Sequence, residues 1–154
     1  SSILAATSSS SYGYFGGGQL NGAVSTVMRL EFSNETVSNP GKNLPTARYG
    51  PAAFSSSSYG YFGGGYTSNI ISTITRLDFS NETVSDPGKN LPFERSTFAG
   101  TSSSSYGYFG GGYAPTSICT ISRLDFSTET TSDPGKNLPS KKASLSAEIG
   151  RAHV

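Results

Sequence analysis

The amino-acid sequence predicts an all-β chain built from three copies of one four-stranded antiparallel sheet, and three observations point to this fold class. The heptapeptide Tyr-Gly-Tyr-Phe-Gly-Gly-Gly begins at Tyr12, Tyr59 and Tyr106, so each copy starts 47 residues after the previous one. Each period contains four short strand-like segments separated by turn signals. The composition of the 154 residues, with 19 Gly, 8 Pro and 14% charged residues, favours strands and turns over surface helices.

The copies are similar enough that each is expected to form the same unit. Of the 34 residues in 59–92, 26 recur in 106–139, and 24 of 34 are shared between the first and second copies. A constant period of this length is typical of an array of supersecondary units. We therefore divide residues 1–147 into repeats of about 3–47, 48–94 and 95–139, followed by the start of a fourth repeat at 140–147.

Four strands are predicted in each period, and the second repeat illustrates them. The first, Arg48 to Phe54, has small residues that indicate a crowded, innermost position. The second, Tyr59 to Phe62, is aromatic and ends in three glycines, which permit a sharp exit from the sheet. The third, Ile71 to Phe79, is β-branched and alternating, with copies at Val24 to Phe32 and Ile118 to Phe126. The fourth, Glu82 to Ser85, precedes an Asp-Pro-Gly turn signal.

Two kinds of loop connect these strands. Serine-rich segments join the first strand to the second and are expected to be hairpin loops, because no copy has gained or lost a residue. The loop after the triple glycine differs between copies, as a recognition surface on a constant scaffold would, although unconstrained drift of a loop would give the same pattern. The candidate recognition residues are Gln19, Leu20, Asn21, Tyr66, Thr67, Ser68, Asn69, Tyr113, Ala114, Pro115 and Thr116.

Other residues recur in every copy and are expected to be structural. An arginine in the third strand lies two residues before an acid, so both side chains project from one face of the strand. This spacing predicts a repeated ion pair or a strand-to-loop hydrogen bond between repeats; the alternative is a ring of anion-binding guanidinium groups. The recurring residues are Gly16, Gly17, Gly63, Gly64, Gly110, Gly111, Arg29, Arg76, Arg123, Glu31, Asp78 and Asp125.

Several classes of function are disfavoured by the composition. A net charge of +1 gives no basic surface for nucleic acid. No apolar run approaches the roughly 20 residues of a membrane-spanning helix. The one histidine is His153 and the one cysteine is Cys119, so neither a histidine-based catalytic set nor a histidine-based metal site can be assembled. Glu35, Glu82 and Glu129 recur once per repeat, which favours a structural role. We expect no enzymatic activity and no cofactor.

The repeat resembles the kelch family. Three features match: the aromatic strand ending in glycines, the strand Ile-Thr-Arg-Leu-Asp-Phe, and the link Leu-Pro…Ala-Arg. The match of the link is clear at Thr46-Ala47-Arg48, weaker at Phe93-Glu94-Arg95 and poor at Ser140-Lys141-Lys142. The kelch tryptophan is absent, and Val37, Val84 and Thr131 lie near its place. Similar Trp-less arrays occur in marine viral and metagenomic proteins.

This resemblance implies a kelch-like β-propeller fragment: three four-stranded antiparallel blades of 47-residue period plus one strand of a fourth. A propeller closes with four to eight blades, so we expect the neighbouring blades of a longer protein, or self-association, to cover the free faces. The implied function is a non-enzymatic binding or scaffold module for a protein or glycan ligand. The alternatives are a structural β-solenoid or fibre repeat and a non-catalytic part of a larger propeller enzyme.

Residues 148–154 match nothing upstream. The heptapeptide Glu-Ile-Gly-Arg-Ala-His-Val resembles one reading frame of a common sequencing adapter. We expect these residues to be a non-native tail and leave them out of the reasoning on the fold.

Overall fold

The computed structural model describes residues 3–142, and its regular elements there are β strands arranged in three antiparallel sheets. The predicted all-β class and the four-stranded antiparallel sheets are confirmed. Sheet 1 contains, in spatial order, β1 (Ala5–Ser8), β2 (Tyr12–Gly16), β3 (Val27–Glu31) and β4 (Thr36–Ser38). Sheet 2 contains, in the same order, β5 (Ala52–Ser55), β6 (Tyr59–Gly63), β7 (Ile74–Asp78) and β8 (Val84–Ser85).

Sheet 3 has the same four-stranded plan with two additions. Its common part contains β9 (Ala99–Ser102), β10 (Tyr106–Gly110), β12 (Thr116–Asp125) and β13 (Thr130–Ser132). The added strands β11 (Tyr113–Ala114) and β14 (Asn137–Lys142) both pair with β12. The segment expected to begin a fourth repeat therefore contributes Ser140–Lys142 to sheet 3, and its remainder, together with the suspected tail, lies outside the described residues.

Several of the predicted strand boundaries were wrong. The fourth strand of the second repeat spans Val84–Ser85 instead of Glu82–Ser85. The copies of the third strand span Val27–Glu31 and Thr116–Asp125 instead of Val24–Phe32 and Ile118–Phe126. The first strand of the second repeat begins at Ala52 instead of Arg48, because Gly50 has a left-handed φ of 65° and Pro51 has no amide hydrogen to donate. The third strand spans Ile74–Asp78 instead of Ile71–Phe79. Residues 71–73 meet their neighbour at one isolated bridge, between Thr73 and Asn90, so the ladder does not extend through them.

The hydrophobic core lies between sheets rather than within one repeat. One cluster joins sheets 1 and 2 and contains Ala5, Tyr14, Val27, Leu44, Ala53, Phe62 and Leu77. The other joins sheets 2 and 3 and contains Ala52, Phe54, Tyr61, Ile74, Leu91, Phe98, Phe109 and Leu124. Because each cluster contains residues of two sheets, a single repeat has no complete core of its own.

The first strands of the three repeats lie side by side, with β5 between β1 and β9. The Thr7 hydroxyl donates a 2.9 Å hydrogen bond to the Phe54 carbonyl. A Cβ placed on Gly100 would overlap the Ala53 carbonyl oxygen, so this contact requires a residue without a side chain. The small residues of these strands thus permit backbones of neighbouring repeats to approach closely.

Candidate functional site

Loops of two kinds emerge at opposite ends of each sheet. The serine-rich hairpins β1–β2, β5–β6 and β9–β10 lie at one end, and the connections that follow the triple glycines lie at the other. We call residues 19–23, 66–70 and 113–117 the variable loops. The antiparallel strand order places all three at equivalent positions of their sheets.

The base of each variable loop has the same geometry. The amides of Val24, Ile71 and Ile118 donate hydrogen bonds of 3.0 Å each to the carbonyls of Gly18, Gly65 and Gly112. These three glycines have φ values of 114°, 103° and 104°, a region that L side chains rarely adopt. The third glycine of the motif therefore fixes where each loop leaves the sheet, whatever the sequence at its tip.

The tips differ in exposure and in local structure. Leu20 has 77% of its surface exposed, and Asn21 has a left-handed φ of 54°. In the second loop the Thr67 amide donates to the Asn69 carbonyl. In the third loop Tyr113 lies on the two-residue strand β11, which pairs with the beginning of β12 at Thr116 and Ser117. The exposed candidates are Gln19, Leu20, Asn21, Ser68, Asn69, Tyr113, Pro115 and Thr116, and the half-buried ones are Tyr66, Thr67 and Ala114.

The two loop tyrosines have different surroundings. Tyr66 packs against Tyr49, with ring centroids 5.1 Å apart, and the backbones of the two residues exchange hydrogen bonds. Tyr113 makes the same backbone exchange with Ser96, the residue that replaces Tyr49 in the next repeat. Tyr113 is 44% exposed. Tyr66 therefore helps to join repeats, whereas the Tyr113 ring is accessible to a ligand.

The recurring glycines at the end of the second strand accommodate aromatic rings from the next sheet. A Cβ on Gly16 would lie 2.8 Å from the Phe62 ring, and a Cβ on Gly63 would lie 2.8 Å from the Phe109 ring. Gly17, Gly64 and Gly111 follow with φ values of 73°, 61° and 68°. The motif therefore both receives the neighbouring ring and turns the chain out of the sheet.

Two of the three recurring arginines form ion pairs between sheets, with acids other than those two residues away. Arg29 of sheet 1 lies 2.6 Å from Glu82 of the second repeat, and Arg76 lies 2.6 Å from Glu129 of the third. The Tyr14 and Tyr61 hydroxyls donate 3.0 Å hydrogen bonds to the same carboxylates. Each carboxylate thus accepts two hydrogen bonds from the preceding sheet.

Burial and these carboxylates shift the pKa values of the tyrosines. The pKa of Tyr14 lies well above its usual range, first because the phenol is buried and then because it donates to Glu82. Burial and the charge of Glu129 raise the pKa of Tyr61 in the same way. Both phenols therefore stay protonated in the folded protein at pH values where an exposed tyrosine ionises.

The acids that precede the turns have a local role. Asp78 accepts hydrogen bonds from the Ser80 amide and hydroxyl, and Asp125 accepts the same two bonds from Ser127. These bonds lower the pKa of both carboxyls. Glu31 accepts a bond from the Ser33 hydroxyl. The acid two residues after each arginine is therefore bonded to a nearby serine, and the ion pairs between repeats use Glu82 and Glu129.

Two buried arginines in the links were not among the predicted site residues. The backbone of Arg48 is bonded to the first repeat, since its amide donates to the Val24 carbonyl and its carbonyl accepts from Gly18. Its guanidinium donates to the Gly64 and Thr73 carbonyls at 3.2 Å and to the Thr75 hydroxyl at 3.1 Å. The arginine that recurs in the link, at 48 and 95, was the signal that could have identified this role.

Arg95 repeats the arrangement between the second and third repeats. Its guanidinium donates to the carbonyls of Phe109, Gly111 and Thr120 and to the Ser122 hydroxyl. Burial lowers the pKa of Arg95 to about 10. Each of these arginines fastens the link of one repeat into the sheet of the next.

The serine-rich end contains similar polar clefts between successive sheets. The cleft between sheets 1 and 2 has a volume of about 460 Å³, and the cleft between sheets 2 and 3 has a volume of about 450 Å³. Each is lined by serines from two hairpins, two tyrosines, an aspartate and a phenylalanine. The hydroxyl and carboxylate groups of these clefts suit a polar, hydrogen-bonding ligand.

Other chemistry was sought throughout the described part of the chain. No three His, Cys, Asp or Glu side chains among residues 3–142 are grouped so that they could hold a metal ion. Cys119 is a free, half-buried thiol in β12, and His153 lies outside the described residues. Within the same span, no helix is long and apolar enough to cross a membrane.

Comparison with protein-family models and with curated proteins found no match for this chain.

Proposed function

We propose that this chain is a non-enzymatic interaction module with a kelch-like β-propeller architecture, which binds a protein or a glycan through its variable loops. The blade arrangement is supported by three features. Each repeat forms its own antiparallel sheet, neighbouring sheets share a core, and the first strands of the repeats lie side by side. Residues 148–154 have no part in the proposal.

The observation that carries the binding role is the contrast between loop base and loop tip. The base has the same glycine and the same hydrogen bond in all three repeats. The tips have different sequences and present Leu20 at 77% and Tyr113 at 44% exposure. Rigid scaffolds with varied exposed loops are a common basis of recognition. An exposed aromatic ring supplies contact area with little loss of conformational entropy.

The experiment is a binding screen with a loop-exchange control. The immobilised protein is probed with a glycan array and with a displayed peptide library, and each ligand found is retested on a variant whose residues 113–117 are replaced by Tyr-Thr-Ser-Asn-Ile, the sequence of 66–70. Because the base is common to both loops, the circular dichroism spectrum should be unchanged. We expect at least tenfold weaker binding by the variant. Ligands that bind equally well after all three tips are replaced by one sequence would contradict the proposal.

A second candidate site is the serine-rich end. Its specific support is that nearly the same polar cleft occurs between sheets 1 and 2 and between sheets 2 and 3. Two equivalent clefts would suit a ligand with a repeating polar unit, such as an oligosaccharide. In the glycan screen, Asp125→Asn should weaken a ligand held in this cleft, whereas the exchange of loop 113–117 should not affect it.

A further inference from the structure

The interface between sheets 1 and 2 and the interface between sheets 2 and 3 use equivalent residues. In both, an arginine of the earlier sheet pairs with a glutamate of the later one. In both, a tyrosine stacks on a phenylalanine of the later sheet, Tyr14 on Phe79 and Tyr61 on Phe126, with interplanar angles of 12°. A phenylalanine of the later sheet also covers a glycine of the earlier one.

The free face of sheet 3 carries the same residues that the earlier sheet contributes to each of these two interfaces. Tyr108, Gly110 and Arg123 occupy the positions of Tyr61, Gly63 and Arg76. A Cβ on Gly110 would meet only Leu138 and Ile121, at 3.8–3.9 Å, so the space above this glycine is open. A predominantly apolar groove of about 350 Å³ extends over Tyr108 and Gly110 and is also lined by Ala99, Gly100, Ile121 and Leu138.

The free face of sheet 1 carries the same residues that the later sheet contributes to each of these two interfaces. Phe15 is 37% exposed, although its counterparts Phe62 and Phe109 are fully buried. Phe32, the counterpart of Phe79 and Phe126, is 46% exposed, and Val37 is 63% exposed. Isolated exposed apolar residues are ordinary, but three on one face of one sheet mark a contact surface.

The charged groups of the two free faces are complementary. Arg123 lies over the Tyr106 ring at 4.6 Å and, among residues 3–142, forms no ion pair. Glu35 is exposed and likewise forms no ion pair within the described residues. Its φ of 57° equals that of Glu82 and is close to the 53° of Glu129. Glu35 therefore already has the backbone conformation that presents the paired carboxylates to an arginine.

We propose that the free face of sheet 3 binds the free face of sheet 1 of a second copy of this chain. In this head-to-tail contact Arg123 and Tyr108 donate hydrogen bonds to Glu35 of the second copy. Phe15 of the second copy covers Gly110, and Phe32 of the second copy stacks on Tyr108. The contact is heterologous, so association closes into a ring or continues as a chain of copies. It uses surfaces other than the variable loops, so it holds whether or not those loops bind a ligand.

Sedimentation velocity over a range of protein concentrations tests this contact. Wild type should associate, and Gly110→Leu should weaken association at least tenfold, because the added side chain fills the groove that receives Phe15. Gly110→Leu should leave the stability of the monomer unchanged, since its Cβ has room.

Arg123→Glu should weaken association to a similar degree by placing two carboxylates together. Lys42→Glu, an equal change of charge elsewhere, should have no effect.

Charge reversal gives a second arm of the experiment. Glu35→Arg alone should weaken association, and Glu35→Arg combined with Arg123→Glu should restore at least a large part of it by re-forming the pair in the opposite sense. A wild-type protein that stays monomeric, or association that ignores Gly110→Leu and Arg123→Glu, would overturn the proposal. A monomer that Gly110→Leu destabilises would also overturn it, because the groove would then be covered by the same chain.

Discussion

At the scale of single residues, Arg48 and Arg95 show how one side chain can join two repeats. Each lies on a link whose backbone is bonded to the repeat that it leaves, and each guanidinium enters the sheet that follows. A buried guanidinium is tolerated because its fork of donors meets carbonyl and hydroxyl oxygens. Lys142, 47 residues after Arg95, occupies the same position in the following link, where a single ammonium group would supply a different geometry.

Replacing Arg48 with alanine should strongly destabilise the protein. The substitution leaves the buried Gly64 carbonyl and the buried Thr75 hydroxyl without this donor, and removes one of the two donors to the Thr73 carbonyl. A loss of about 3 kcal/mol or more is expected from the unsatisfied buried groups and the lost packing. Urea unfolding measures this change. Arg48→Lys should give an intermediate loss, and Lys42→Ala, at an exposed position, should change stability little. A value for Arg48→Ala within about 0.5 kcal/mol of wild type, the range of ordinary surface changes, would contradict the assigned role.

The inter-sheet tyrosines predict how stability depends on alkaline pH. Since the folded-state pKa values of Tyr14 and Tyr61 are raised, the unfolded chain releases these protons first. Their contribution to stability is complete below the ordinary tyrosine pKa of about 10 and falls as the pH rises above it. Of the nine tyrosines, we expect two to ionise only as circular dichroism reports unfolding.

The control for this titration is a pair of substitutions. Tyr14→Phe and Tyr61→Phe together should remove the late ionisation from the absorbance of tyrosinate. Ionisation of all nine tyrosines while the circular dichroism spectrum stays native would show that these phenols are not held by the fold.

At this scale the sequence showed which residues recur but not which ones meet. The spacing of Arg29 and Glu31 put both on one face of a strand, and an ion pair between repeats was one of the two roles expected from it; Arg29 does form such a pair. Its partner is Glu82, 53 residues later. A repeat period shows which residues are equivalent in different copies. Which of these residues contact one another depends on how the copies pack in three dimensions. The recurring Asn-Glu-Thr turn was the available signal for that glutamate.

At the scale of the strands and loops, four strands per repeat and the turns between them followed from β-branched runs and from Gly and Asp-Pro-Gly signals. Strand lengths were harder to predict from the sequence, because the hydrogen-bonded ladder ends where the neighbouring strand turns away, as at Thr73. Tyr113 of β11 also exchanges backbone hydrogen bonds with Ser96 of the preceding link. Such long-range pairings leave no local pattern in the sequence.

Because β5 and β9 approach closely at Gly100, we expect a larger residue at this position to destabilise the protein. Alanine at this position would press its Cβ into the Ala53 carbonyl, and overpacking of this kind typically costs about 1–3 kcal/mol. Gly110→Ala, another glycine in the same sheet but with open space above it, is the matched control and should cost much less. Thermal unfolding monitored by circular dichroism compares the two. Equal stability of both variants would show that β5 and β9 are not in contact.

At the scale of the whole molecule, stability is shared between repeats because each core cluster contains residues of two sheets. The chain has this in common with repeat proteins, in which neighbours complete one another. The two free faces, on sheets 1 and 3, are then the exposed halves of the same interface. The variable loops are held at equivalent positions by these interfaces, which links the assembly of the sheets to the proposed binding surface.

The central claim, that side chains join successive sheets, is tested most directly by a double-mutant cycle on Arg76 and Glu129. The substitutions are Arg76→Met and Glu129→Gln, and urea unfolding is measured at one protein concentration. We expect a coupling of about 1 kcal/mol, as for partly buried hydrogen-bonded charges. The reference cycle uses Arg76→Met with Glu82→Gln, an acid in the same repeat as the arginine, and should be additive. Additivity in the first cycle with coupling in the second would show that each repeat is held together from within, and would contradict the account.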